Sequence, residues 1–115
     1  MSRDPAVVLE DMIAEIDAIL WATASIEFET FRDDWTVRRA VERGVEIISE
    51  ASRRLPAELT ARRPDIPWNK VKAIGNIFRH EYDRVSSKVP WDLVRSDLEP
   101  LRAVLAALLN ERNLS

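Results

Sequence analysis

Two glycines in 115 residues, Gly44 and Gly75, and no Asn-Gly or Asp-Gly pair leave an antiparallel sheet with nothing to turn on. The spacing of the apolar residues then sets the fold class. Val8, Met12, Ile16 and Ile19 recur at steps of four, four and three, with Leu9, Ile13 and Leu20 alongside, and predict a helix from Pro5 to about Ser25. Asp4 before Pro5 is a suitable N-cap. Asp33 and Asp34 offer caps for a second helix whose inward positions are Val37, Ala40, Val41, Gly44, Ile48, Ala51 and Leu55. Its opposite face holds Arg38, Arg39, Glu42, Glu46 and Glu50. Residues 55–59 suit a further short turn, and Arg63-Pro64-Asp65-Ile66-Pro67 is a loop.

A third helix begins at Pro67 or Trp68, with Trp68, Val71, Ile74, Phe78, Tyr82 and Val85 as its inward stripe, and breaks at residues 86–90. From Trp91 onward, Val94, Leu98, Leu101, Leu105 and Leu108 form a bundle-type seam that Pro100 should kink or split near Leu98. The expectation is an all-α chain, an antiparallel bundle of four to five helices in a single domain spanning residues 1–115.

An apolar content of 46% against 32% charged residues is too high for a disordered chain. The absence of cysteine excludes disulfides, thiolate zinc sites and a cysteine nucleophile, and one histidine excludes a multi-histidine metal site. The longest apolar runs are four or five residues, far short of the roughly 20 that span a bilayer, and the acidic start does not suit a signal peptide. A cytoplasmic protein with no membrane partner is expected.

His80 is the one side chain whose ordinary pKa lies near neutrality. On an ideal helix it lies about 180° from Val71 and about 200° from Phe78, away from the core stripe, with Asn76 one turn earlier on its face. That geometry fits a ligand site, a subunit contact or a plain polar surface residue. Between Arg62 and Lys88 seven Lys or Arg stand against three Asp or Glu, on a chain whose formal charge is −3. Such a strip suits a phosphate backbone or an acidic partner, and equally a solvated face. Lys72 and Arg84 are its RNA-binding candidates. Trp21, Trp68 and Trp91 fall at or near apolar faces and are expected in the core, whereas Trp35 is less easily placed.

The order Phe31-Arg32-Asp33-Asp34, Ala40-Val41-Glu42-Arg43, Ile47-Ile48-Ser49-Glu50-Ala51, Leu55-Pro56, Ile66-Pro67-Trp68, Asn76, His80-Glu81-Tyr82 and Val89-Pro90-Trp91 resembles the HepT-like branch of the HEPN superfamily. The resemblance runs from about Val8 to Leu105. It implies a HEPN-like helical protein that forms a homodimer with the histidine helices facing one another. It also implies a toxin of a bacterial toxin–antitoxin pair, partnered by a minimal nucleotidyltransferase antitoxin, and an endoribonuclease that uses no metal or other cofactor. His80 then matches the catalytic histidine, Asn76 the motif asparagine, and Tyr82 the tyrosine to which the antitoxin attaches AMP.

The family's motif arginine has no counterpart, for Gly75 stands in its place. Metal-free RNA cleavage needs a base for the 2′-OH, an acid for the leaving 5′ oxygen and a cation against the phosphorane charge. With no arginine at position 75, the charge must come from Arg79, Lys72 or Arg84. Gly75 thus carries two readings. Either the cleft has lost its cation and Gly75→Arg would restore it, or two helices approach where no side chain fits. The alternative to a nuclease is an inactive HEPN binding module that partners a nucleotidyltransferase, and a helical adaptor unrelated to RNA is a third class.

Overall fold

The computed structural model describes residues 4–81 and 86–114, apart from the side chains of 79–81, 113 and 114. Seven helices occur among them: α1 (Pro5–Thr23), α2 (Phe28–Asp33), α3 (Trp35–Ser52), α4 (Ala57–Thr60), α5 (Trp68–Glu81), α6 (Lys88–Ser96) and α7 (Leu98–Leu114). No strand is present among the described residues. The all-α reading holds, with five longer helices and two short ones. None of the described helices is long and apolar enough to cross a membrane.

The helix starts follow their caps. Asp4 accepts a hydrogen bond from the Ala6 N–H at 2.8 Å, and Asp34 accepts one from the Val37 N–H at 3.1 Å. Helix α6 starts at Lys88, three residues earlier than the break at Pro90 suggests. Pro90 sits in its first turn, where the missing N–H needs no partner. Pro100 likewise occupies the first turn of α7, and the expected split falls at Asp97. Six-residue α2 is too short to show a period, yet it buries Phe31 fully, 5.3 Å from the Trp91 ring.

Helix α3 lies between α1 and α5, while α1 also packs on α7, which in turn packs on α6. Val8, Leu9, Met12, Ile16 and Ile19 of α1 meet Val41, Val45 and Ile48 of α3 and Val94, Leu98, Leu101, Leu105 and Leu108 of α6 and α7 in one buried cluster. Three expectations fail against this packing. Trp21 is 84% exposed, because it follows Ile19 by two residues and so lies about 200° from the core stripe of α1. Ala40 is exposed too, at the solvent edge of α3. Glu42, assigned to the polar face, is only 6% exposed, because α3 is covered on two sides and one apolar stripe does not describe a central helix.

Polar contacts close the bundle between its sequence ends. Arg95 of α6 lies 4.3 Å above the Trp91 ring and donates to the backbone carbonyls of Thr23, the last residue of α1, and of Ile26 in the turn that follows it. Arg102 of α7 donates to both carboxylate oxygens of Asp17 on α1.

The hydrogen bond from Arg102 holds the Asp17 carboxyl below its usual range. A depressed folded-state pKa contributes stability above the unfolded value of about 3.9, and that contribution disappears as pH falls through the folded value. Urea midpoints of the parent and of Arg102→Gln should therefore differ slightly at pH 7, and the difference attributable to the bridge should vanish near pH 2.

Candidate functional site

Helix α5 is seated on α3 through its own backbone. The Ser49 hydroxyl donates to the Lys72 carbonyl at 2.9 Å and accepts from the Gly75 N–H at 3.1 Å. The Arg53 guanidinium donates to the same carbonyl twice, at 3.1 and 2.8 Å. At the start of α5 the Trp68 indole N–H donates to the Arg63 carbonyl at 2.9 Å. Such contact requires that no side chain intervene. A Cβ on Gly75 would stand 2.8 Å from both Cβ and Oγ of Ser49 and 3.4 Å from Cα of Glu46. This decides between the two readings of Gly75: it is a helix-crossing glycine, and an arginine there would meet the next helix before reaching any phosphate.

Gly75 therefore orients everything around it. Asn76 is exposed, one position and about 100° round from Gly75, and Ile77 beside it is 41% exposed. Lys72 is half-buried, and its carbonyl belongs to the Ser49–Arg53 clamp. His80 and Arg79 lie on the last turn of α5, with side chains outside the described set. Tyr82 and Arg84 lie outside the described residues, as does the expected stripe position Val85.

Among the described residues, the members of the sequence's basic strip are dispersed or paired. Arg62 pairs with Glu111 at 3.6 Å, Arg63 with Asp65 at 2.8 Å and Lys88 with Asp92 at 3.1 Å. Lys70 and Lys72 are two residues apart on a helix, about 200° round from each other. Cations that the sequence left unassigned stand on α3. Arg39 pairs with the buried Glu42 at 3.1 Å, and Arg43 pairs with Glu46 at 3.0 Å. The Arg39 guanidinium lies 5.5 Å from the ring centre of Trp35, which is 61% exposed. The repeated Arg-x-x-Glu spacing was visible in the sequence, but the burial of its acids was not.

A cleft of about 480 Å³ opens on the opposite side of α5, where Val71 and Ile74 face Leu93, Leu98 and Leu101. Among the described residues Asp65, Lys70 and Asp97 are its charged members, and none of its lining carries a hydroxyl nucleophile, amide or imidazole. Asn76 does not line it.

The family profile described as "Ribonuclease HepT-like" matches residues 9–108. The "Probable ribonuclease HepT" of Thermococcus cleftensis is 34% identical, over 89% of this chain and 93% of its own length. Two proteins named as "Putative RNase" are similarly related. One, from Caldanaerobacter subterraneus subsp. tengcongensis, is 27% identical over 95% of this chain and 97% of its own. The other, from Methanocaldococcus jannaschii, is 28% identical over 87% and 92%. No solved structure matches the chain.

Gly75→Arg should destabilise the protein by about 2 kcal/mol or more in urea denaturation, because overpacking outweighs a helix-propensity gain of up to about 1 kcal/mol. Gly75→Ala should be less well tolerated in the parent than in a Ser49→Gly background, which removes the colliding atoms. A Gly75→Arg protein as stable as the parent would contradict the crossing.

Proposed function

The chain belongs to the HepT-like ribonuclease family, and from that premise we propose that it is a metal-independent endoribonuclease, the toxin of a toxin–antitoxin pair, whose site forms around His80 between two copies of the chain. One observation carries the reading furthest. The outward face of α5 is exposed at Asn69, Ala73, Asn76 and Ile77, while its inner face is fixed on α3. A two-fold partner laid on that face brings the residue-80 turns of both subunits into one cleft.

In such a cleft one imidazole takes the proton of a ribose 2′-OH as its oxygen attacks the adjacent phosphorus. The second imidazole, protonated, gives its proton to the departing 5′ oxygen. The products are a 2′,3′-cyclic phosphate and a 5′-hydroxyl. The Asn76 amide, exposed on the same face, has donors for a non-bridging phosphate oxygen or a base edge. Arg79 adjoins His80 in sequence and remains a candidate for the phosphorane charge. AMP attached to Tyr82 by a nucleotidyltransferase antitoxin would put a phosphodiester anion two residues from His80, where it repels RNA.

The second reading is an inactive binding module for the same nucleotidyltransferase. The packing of Gly75 on Ser49 favours it, since the fold has no room at that position for the family's arginine.

Purified protein in EDTA should cleave single-stranded RNA to fragments with cyclic phosphate ends, and His80→Ala should lower the rate by at least a hundredfold. Light scattering should give twice the 13.2 kDa chain mass, and Ile77→Lys should shift it toward the monomer. Intact RNA with a folded dimer would support the binding module instead.

A further inference from the structure

If α5 cannot carry the cation at position 75, the neighbouring helix is the next place to look. The contacts of α3 with α5 fix their register: Arg53 and Ser49 meet Lys72, Ser49 meets Gly75, and Glu46 lies against Gly75. The numbering falls on one helix as it rises on the other, so the two are antiparallel. Five residues from Gly75 to position 80 advance about 7.5 Å, as do five from Glu46 to Val41. Position 80 is thus level with residues 41–44, a stretch that contains Arg43, with Arg39 within about a turn of it.

They also stand on the same edge. Counted at about 100° per residue from Ser49, Trp35, Arg39 and Arg43 lie about 40°, 80° and 120° round α3, on the side of Arg53 at about 40°. Counted from Gly75, Lys72, Asn76 and position 80 lie about 60°, 100° and 140° round α5, on the side where Arg53 meets Lys72. The apolar residues Val45 and Ile48 of α3, and Val71, Ile74 and Phe78 of α5, turn the other way.

We propose that Trp35, Arg39 and Arg43 form a track for the backbone of single-stranded RNA, running along α3 past the site on α5. This deepens the nuclease reading and rests on it for the identity of the substrate. The three recur every four residues, so the guanidiniums are about 6 Å apart along the axis, a spacing suited to neighbouring phosphates. Each arginine is held by a carboxylate three residues on, Glu42 or Glu46, that is itself largely buried. The pairing restricts the guanidinium while leaving Arg43 63% exposed. Exposed Trp35 at the end of the row offers a face on which a base stacks. Of the acids around Trp35, Asp33 is paired with Arg32 and Asp34 caps α3, while Glu29 remains exposed. The cation missing from position 75 is thereby supplied from α3.

The test uses a 2′-O-methyl oligonucleotide, which cannot be cleaved, followed by fluorescence anisotropy on the full chain. The double variant Arg39→Gln, Arg43→Gln keeps an amide donor for each glutamate and removes both charges. It should bind at least tenfold more weakly, with the slope of log affinity against log salt reduced by about one to two. Trp35→Ala should weaken binding, and Trp35→Phe should retain it. Unchanged affinity in a double variant that melts like the parent would overturn the track, whether or not His80-dependent cleavage is seen. Binding that needs both arginines, without any cleavage, would keep the track and remove the nuclease reading. No binding by the parent would remove both.

Discussion

The close approach of three helices governs the rest of the molecule. Helix α3 is central, and at each of its two packed sides a glycine lets a neighbour come near. A Cβ on Gly44 of α3 would stand 2.7 Å from Cδ1 of Ile19 on α1, and one on Gly75 of α5 would collide with Ser49 on α3. The chain's two glycines, costly in helix interiors, are both spent at crossings. Because α5 rests on α3 at Gly75, the rotation of α5 is fixed, and with it the outward direction of Asn76.

Side-chain chemistry follows from that seating. A helix packed on two sides leaves only a narrow edge to solvent, so two of the acids of α3, Glu42 and Glu46, are drawn inward and must be paired. Glu42 and Glu46 meet this need through arginines one turn back on their own helix. Burying a carboxylate without a partner would cost several kcal/mol. The arginines are retained at the edge of α3 in consequence, each held against its own glutamate. Structure and charge placement are here the same requirement.

Most of the fold was legible because long apolar stripes and N-caps are local signals. Asp4, Asp34, Pro100 and the seam from Val94 to Leu108 behaved as their spacing implied. What escaped was what depends on a second helix. Trp21 belongs to an unbroken apolar run, Ile19-Leu20-Trp21, whose edge toward solvent only the position of α3 and α7 defines. Glu42 reads as polar surface until the helices packed on both sides of α3 are in place. The motif around His80 could be recognised in the sequence through family resemblance, whereas the meaning of Gly75 depended on Ser49, 26 residues away.

Arg95 adds a constraint on the order in which the protein can assemble. It closes the end of α1 from 72 and 69 residues away, and Arg102 reaches Asp17 from 85. The end of the first helix and its Asp17 are therefore bridged by residues from the last quarter of the chain. Until those are in place its apolar stripe has only α3 to lie against. The contacts that tie down α1 are thus among those that close the longest loops of the chain, and their loop-closure entropy is met only when α6 and α7 are in place.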